Sequence, residues 1–148
     1  IKTLASTHVD LTKLAKSGGI RWGKPGKTEL VIFTDFACSY CRALFSDLAS
    51  ANIAVEERPL GLLGEDSLTT AKAVLCDADP QEARLRAYAG ETLTPPKPCN
   101  AKGLDANHAF AKKHGFSGTP VLIRASDGAV LHGYRPLPEI KAFLAETR

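Results

Sequence analysis

Apolar residues run almost unbroken through "ELVIFTDF" (residues 29–36), the pattern of a strand covered on both faces of an α/β sheet. At Cys38 the period changes, and Cys41, Leu44, Phe45, Leu48 and Ala51 recur at the spacing of an amphipathic helix. "NIAVEERPL" (52–60) alternates enough to predict a second strand, with Pro59 marking its end or an edge, because proline cannot donate to a ladder. A helical block follows. Ser67 is the expected cap of "LTTAKAVLC", and Asp79, Pro80 and Glu82 supply a cap, a first-turn proline and a capping-box acid ahead of "QEARLRAYAG". "TPPKPCN" (94–100) reads as a rigid loop around Cys99, and "LDANHAFAKKHG" as another helix stopped by Gly115. The C-terminal part reads as "TPVLIRA", the turn "SDGA", "VLHGY" and a last helix from Pro138 through Leu144. Asp127 and Gly128 between two apolar runs signal a hairpin.

Ahead of the first strand, "STHVDLTKLAKSGG" (6–19) predicts a short helix, with Thr7 as cap, Leu11, Leu14 and Ala15 on one face, and Gly18 and Gly19 as its stop. "RWGKPGK" (21–27) reads as a linker in which Trp22 is a packing anchor. Strand, helix, strand, helical block, strand hairpin and closing helix make a mixed α/β domain with a helical insertion. Residues 1–28 are then an N-terminal helix and linker, and residues 29–148 the domain proper, with the insertion at about 61–115.

Composition narrows the function classes. The chain has 148 residues, 44% hydrophobic and 24% charged, as expected of one globular domain. Its net charge of +3 is spread over interspersed signs, with no basic block, which argues against nucleic acid as a partner. No apolar run approaches the ~18 to 20 residues of a membrane span, so membrane insertion is not expected. The sequence starts at Ile1 and contains no methionine, so the initiator residue and an unknown length of upstream sequence are expected to have been removed, which is compatible with a lost signal peptide or a lost domain.

The four cysteines, Cys38, Cys41, Cys76 and Cys99, allow three pairings, of which 38 with 41 and 76 with 99 is the simplest. Disulfides persist in oxidising compartments. Cys38 is expected at a helix start, where unpaired amides and the positive end of the dipole favour a thiolate. Cys41 lies one turn further in, on the apolar face, within reach of a mixed disulfide formed by Cys38. These positions suit attack by Cys38 and resolution by Cys41. A C-x-x-C is also half of many zinc sites, but Cys76 and Cys99 are not spaced as a second knuckle and no histidine pair follows. A purely structural 38–41 disulfide gains little loop entropy. Asp35, three residues before Cys38, is a candidate proton acceptor for Cys41, against the alternative of a strand-end carboxylate bonded to backbone. His8, His108, His114 and His132 are scattered and read as surface or satisfied histidines. In "SGTPVLI", Pro120 stands at the first residue of a strand, where the preceding Thr119–Pro120 bond can be cis.

Taken together, "FTDFACSYC", the pair Cys76 and Cys99 in the insertion, "SGTPVLI" and "GYRPLPEIKAFL" resemble the catalytic domain of the DsbC/DsbG family of periplasmic disulfide isomerases, from about Glu29 to the C-terminus. The resemblance implies a thioredoxin fold with helical insertion, residues 29–148 being the catalytic domain. It further implies Cys38 as nucleophile, Cys41 as resolving thiol, a structural Cys76–Cys99 disulfide, and a cis Pro120 facing the active pair. Ser39, Tyr40, Thr119 and Pro120 would then contact substrate, an extended segment pairing with the backbone at Thr119. The implied activity is disulfide isomerase or reductase on exported proteins, in the periplasm, with no cofactor and no metal. The alternatives are a monomeric DsbA-like oxidase and a non-catalytic chaperone or binding module on the same fold. Disulfide-containing proteins would be the substrates, and a membrane electron donor of the DsbD type is compatible. Two features depart from the family: Ser39 stands where glycine or proline is usual, and residues 1–28 can supply at most the linker of a dimeric isomerase. A homodimer is therefore expected only with an upstream dimerisation domain, and the potential is expected at roughly −180 to −120 mV.

Overall fold

A computed structural model describes residues 6–146. The strands are β1 (Ile20–Gly23), β2 (Leu30–Thr34), β3 (Ala54–Pro59), β4 (Val121–Arg124) and β5 (Val130–His132). The helices are α1 (Ser39–Leu48), α2 (Glu65–Cys76), α3 (Pro80–Tyr88), α4 (Lys102–Lys113) and α5 (Leu137–Ala145). The strands form one sheet in the order β1-β3-β2-β4-β5, with β2 and β3 parallel and every other pair antiparallel.

β2 is central, and all five of its residues are buried. Because side chains alternate across a strand, β2 feeds two layers. Val31 and Phe33 pack with Phe110, Ala111 and Phe116, and Phe33 stacks on Phe110 at 5.5 Å between ring centroids. Leu30 and Ile32 face the other way, against Leu44 and Leu48 of α1 and Ile140 of α5. A third cluster joins Phe36, Cys38 and Cys41 to Ile20, Val74, Ala83, Ala87 and Tyr88, so α2 and α3 close over the start of α1. The cap at Asp79 accepts the Glu82 N–H at 3.2 Å and Pro80 opens α3, as their order in the sequence predicts.

Three expectations need correction. Residues 6–19 form two short 3-10 turns, Leu11–Lys13 and Lys16–Gly18, instead of a helix. Asp10, not Thr7, caps the first, accepting the Thr12 N–H at 3.0 Å, and an extended Leu14 and Ala15 separate the two turns. The segment expected as a linker enters the sheet: β1 pairs along β3 from Ile20 opposite Glu57 to Gly23 opposite Ala54, so a boundary at Glu29 would strip off an edge strand. The stretch before it is bound down as well. Arg58 donates to the Ala15 carbonyl, Asn107 donates to Gly18 O at 2.9 Å, and Gly103 meets Ser17 so closely that a Cβ there would lie 2.4 Å from the Ser17 carbonyl. Finally, α2 starts two residues before Ser67. Ser67 is buried inside the first turn, where its hydroxyl donates to Asp35 rather than capping.

Candidate active site

β2 and β3 run parallel, so their C-terminal ends and the loops that follow lie at one edge of the sheet. Asp35 opens the turn after β2 by accepting the Cys38 N–H on its carbonyl at 2.9 Å. Cys38 keeps extended backbone angles and occupies the N-cap of α1, where its Sγ accepts the Cys41 N–H at 3.3 Å. Its relative exposure is 9%, against 0% for Cys41 directly behind it. Both thiols are free. The Cys38 thiol also reaches the Thr119 carbonyl at 3.7 Å. Cys41 Sγ accepts the Asp35 N–H at 3.5 Å. Burial pushes the Cys41 thiol far above the ordinary thiol range, with contacts to Thr119 and to the Asp35 amide opposing the shift.

The Thr119–Pro120 peptide is cis, and β4 starts at the next residue. Thr119, Pro120, Ser117 and Gly118 line a cleft of about 390 Å³ whose far wall includes His132 and Gly133. The structure thus brings Thr119 to the two thiols, with Pro120 next to it across the cis bond. Ser39 and Tyr40 are exposed on the first turn of α1, and the Tyr40 ring, 64% exposed, lies 6.4 Å from that of Tyr134. Cys76 and Cys99 stand apart from this group, joined by a disulfide that ties the end of α2 to the loop before α4. Among the described residues no group of three or more His, Cys, Asp or Glu side chains is arranged to hold a metal ion.

Asp35 is fully buried, and its carboxylate is saturated by donors. Oδ1 accepts from Ala37 N–H at 2.9 Å and from the Ser67 hydroxyl, while Oδ2 accepts from Leu62 N–H at 2.8 Å and Leu63 N–H at 3.1 Å. Of the two readings open from sequence, the structure matches a backbone-bonded carboxylate. Among the histidines, His108 Nε2 accepts the Gly61 N–H at 2.9 Å, and His114 Nδ1 pairs with the Ser6 hydroxyl at 2.9 Å. His132 is the one that borders the candidate site.

The sequence reading missed a buried polar group behind the thiols. Glu57 of β3 has no exposure, and its carboxylate accepts from Trp22 Nε1 at 3.0 Å, Thr34 Oγ1 at 2.6 Å, Arg84 Nε at 2.8 Å and the Tyr88 hydroxyl. The Arg84 guanidinium lies 4.0 Å from the Trp22 ring centroid and 4.4 Å from that of Phe45, with Nη2 buried and without a hydrogen-bond partner. Burial, reinforced by Glu57, holds the Tyr88 phenol well above its ordinary value. Tyr88 packs in the same apolar cluster as Cys41, so this ionic group reaches the dithiol through the Tyr88 ring.

No family model matches the chain. Among curated proteins it is similar to the thiol:disulfide interchange protein DsbC of Escherichia coli K12, 32% identical over 125 residues that cover 81% of this chain and 52% of that protein. The DsbC of Salmonella typhimurium is 31% identical over the same length, and that of Dickeya dadantii 27% over 123 residues. The chain spans about half the length of the curated relatives it matches. Among solved structures, a disulfide interchange protein from Neisseria gonorrhoeae superposes with a TM-score of 0.70 at 21% identity, covering 88% of this chain and 96% of that one. A periplasmic thioredoxin-like protein from Salmonella enterica serovar Typhimurium gives 0.68 at 22% identity, covering 92% and 95%. These likenesses show a thioredoxin-like fold.

Proposed function

Since the chain is similar to DsbC of Escherichia coli over 81% of its own length and has a thioredoxin-like fold, we propose that it is a thiol-disulfide oxidoreductase. It reduces or isomerises disulfides in exported proteins, and it acts in the periplasm. The observation that carries this reading is the stacking of the two sulfurs. Cys38 sits at the N-cap of α1 with the Cys41 amide aimed at its sulfur, and Cys41 lies sealed behind it.

In this reading Cys38 attacks as the thiolate. It displaces one sulfur of the substrate disulfide, which leaves as a thiolate and takes a proton from water, and a Cys38–substrate disulfide forms. Cys41 then gives up its proton and attacks the Cys38 sulfur. The second substrate sulfur leaves, and two electrons have passed from the dithiol to the substrate. Isomerisation follows if a substrate thiol attacks the mixed disulfide first, leaving the pair reduced. Burial, which favours the Cys41 thiol over its anion, keeps that group from attacking before a mixed disulfide has formed. Thr119 and Pro120 form the floor over which an extended substrate segment runs, with Ser39 and Tyr40 beside it. The Cys76–Cys99 bridge is structural. A membrane electron donor of the DsbD type would return the pair to the dithiol, and a homodimer requires a dimerisation domain upstream.

The purified protein should reduce insulin and refold scrambled ribonuclease, and Cys38→Ser should abolish both activities. Activity retained in that variant ends the reading. Rapid donation of a Cys38–Cys41 disulfide, with no gain in ribonuclease refolding, would instead identify an oxidase.

A further inference from the structure

Glu57 and Arg84 are buried charges that bond neither thiol. Glu57 has no exposure and Arg84 3%, and they pair at 2.8 Å. A buried ion pair is a weak source of stability, since apolar residues of the same volume often serve as well. This pair is also incompletely used: Arg84 Nη2 is the buried side-chain polar atom without a partner among the described residues.

Tyr88 links the pair to the dithiol. Its hydroxyl donates to Glu57 Oε2, and its ring stacks on Phe45 at 5.0 Å between centroids and meets Phe36 edge-on at 4.9 Å. Phe36 belongs to the turn before α1, and Phe45 follows Cys41 by four residues, on the same face of that helix. The ring is therefore held beside Cys41. Burial and Glu57, with a smaller part from Cys41, keep the phenol from ionising, so carboxylate and sulfur act on one hydroxyl. Around Cys41 the other titratable groups are Cys38 on its own helix and Asp35 in the turn after β2. Asp35 presents its amide to the sulfur, while its carboxylate is turned to the Ala37, Leu62 and Leu63 amides and to Ser67. Arg42, next in the chain, is exposed, and Thr119 contributes a hydroxyl. Ile20, Val74, Ala83 and Ala87 complete the cluster without charge.

We propose that Glu57 and Arg84 are positioning residues for the resolving step, acting through Tyr88: Arg84 cancels the charge of a carboxylate that would otherwise oppose the Cys41 thiolate. The inference rests on the oxidoreductase reading and adds a determinant of its second step. Cys41 attacks only as the thiolate, so a bare negative charge nearby withholds it and a compensated one leaves it available. Across about 10 Å of protein interior a unit charge changes an ionisation by about tenfold. The thiolate made scarcer is also the stronger nucleophile, so the net change in attack is about threefold. Arg84 therefore matters through its charge, and its removal acts in the direction opposite to removal of the Glu57 charge.

The test follows one turnover of the reduced protein with oxidised glutathione. Cys38 attacks as the thiolate, releasing one glutathione and forming a mixed disulfide. Cys41 then loses its proton, attacks the Cys38 sulfur and expels the second glutathione, leaving the Cys38–Cys41 disulfide. Acid quenching and mass spectrometry read the decay of the mixed disulfide from neutral to alkaline pH. At neutral pH, Arg84→Met should slow that decay about threefold and Glu57→Gln should speed it about threefold. Arg84→Lys, which keeps the charge, and Arg84→Met/Glu57→Gln, which removes both, should stay near the wild type. A purely structural role predicts otherwise, because both single variants loosen the same contacts and would shift the rate the same way. A common direction, or an unchanged rate in Glu57→Gln, overturns the proposal, and the second result decides alone if Arg84→Met does not fold. Failure of the wild type to form the mixed disulfide would remove the oxidoreductase reading itself, and the inference with it.

Discussion

Replacing Asp35 by asparagine separates a structural carboxylate from a proton acceptor. Asparagine preserves the shape but offers one carbonyl oxygen in place of two carboxylate oxygens. If that oxygen keeps the Leu62 and Leu63 amides, the new NH2 group faces the Ala37 N–H and the Ser67 hydroxyl. The hydroxyl can turn to accept, but the Ala37 N–H loses its carboxylate partner on a residue that is itself exposed, so water can replace it. Two retained bonds lose their charge assistance at about 0.5 to 1 kcal/mol each, and the exchange at Ala37 adds about 0.5 to 1 kcal/mol. Escape from burying a carboxylate offsets part of this. The net loss is about 1.5 kcal/mol, which lowers a urea midpoint by about 0.8 M at a slope of about 2 kcal/mol per M. The single tryptophan, Trp22, packed between Phe45 and Arg84, reports the transition by fluorescence. Hydrogen exchange at the Leu62 and Leu63 amides should accelerate in the same variant. A midpoint shift below about 0.5 M, accompanied by an altered pH profile for disulfide formation by Cys41, would refute the reasoning and restore Asp35 as the proton acceptor.

Other perturbations test the parts separately. Cys76→Ala/Cys99→Ala opens a loop spanning 23 residues, which should cost about 3.4 kcal/mol by loop entropy, measurable as a lower urea midpoint without loss of thiol reactivity at Cys38. Arg84→Met should cost about 3 kcal/mol, the low end for breaking a buried ion pair because Trp22, Thr34 and Tyr88 still bond Glu57, and adding Glu57→Gln should recover part of the loss. Iodoacetamide should label the reduced native protein once, at Cys38, with Cys41 modified only after unfolding. Because the folded state raises the Cys41 thiol, the stability it confers is complete below the ordinary thiol value and declines as pH rises through about 8.5. The stability advantage of reduced wild type over Cys41→Ala should accordingly narrow in alkali.

The parts legible in the sequence are those whose signals are local. β2 declares itself by five consecutive buried residues, α1 by its buried Cys41, Leu44 and Leu48, and the β4–β5 hairpin by Asp127 and Gly128. Cys38 and Cys41 are three residues apart, so the core of the site follows from spacing and the helix start alone. β1 was hidden because it is four residues at a sheet edge, with only Ile20 buried, and because the Lys24–Gly26 turn residues beside it read as linker. The Glu57 group was hidden for a different reason. Its members come from β1, β2, β3 and α3, and Glu57 and Arg84 are 27 residues apart, so charges that pair in the interior look like solvent-facing positions on their own elements. The signal that existed, alternation placing Glu57 on the face opposite Glu56, needed the strand order to acquire meaning. Likewise, nothing near Leu62 and Leu63 in sequence tells that their amides are spent on an aspartate far upstream.

One carboxylate tethers both the loop after β3 and the turn that carries Cys38. The two segments are therefore held to one another by a single side chain, and a substitution at Asp35 releases both at once.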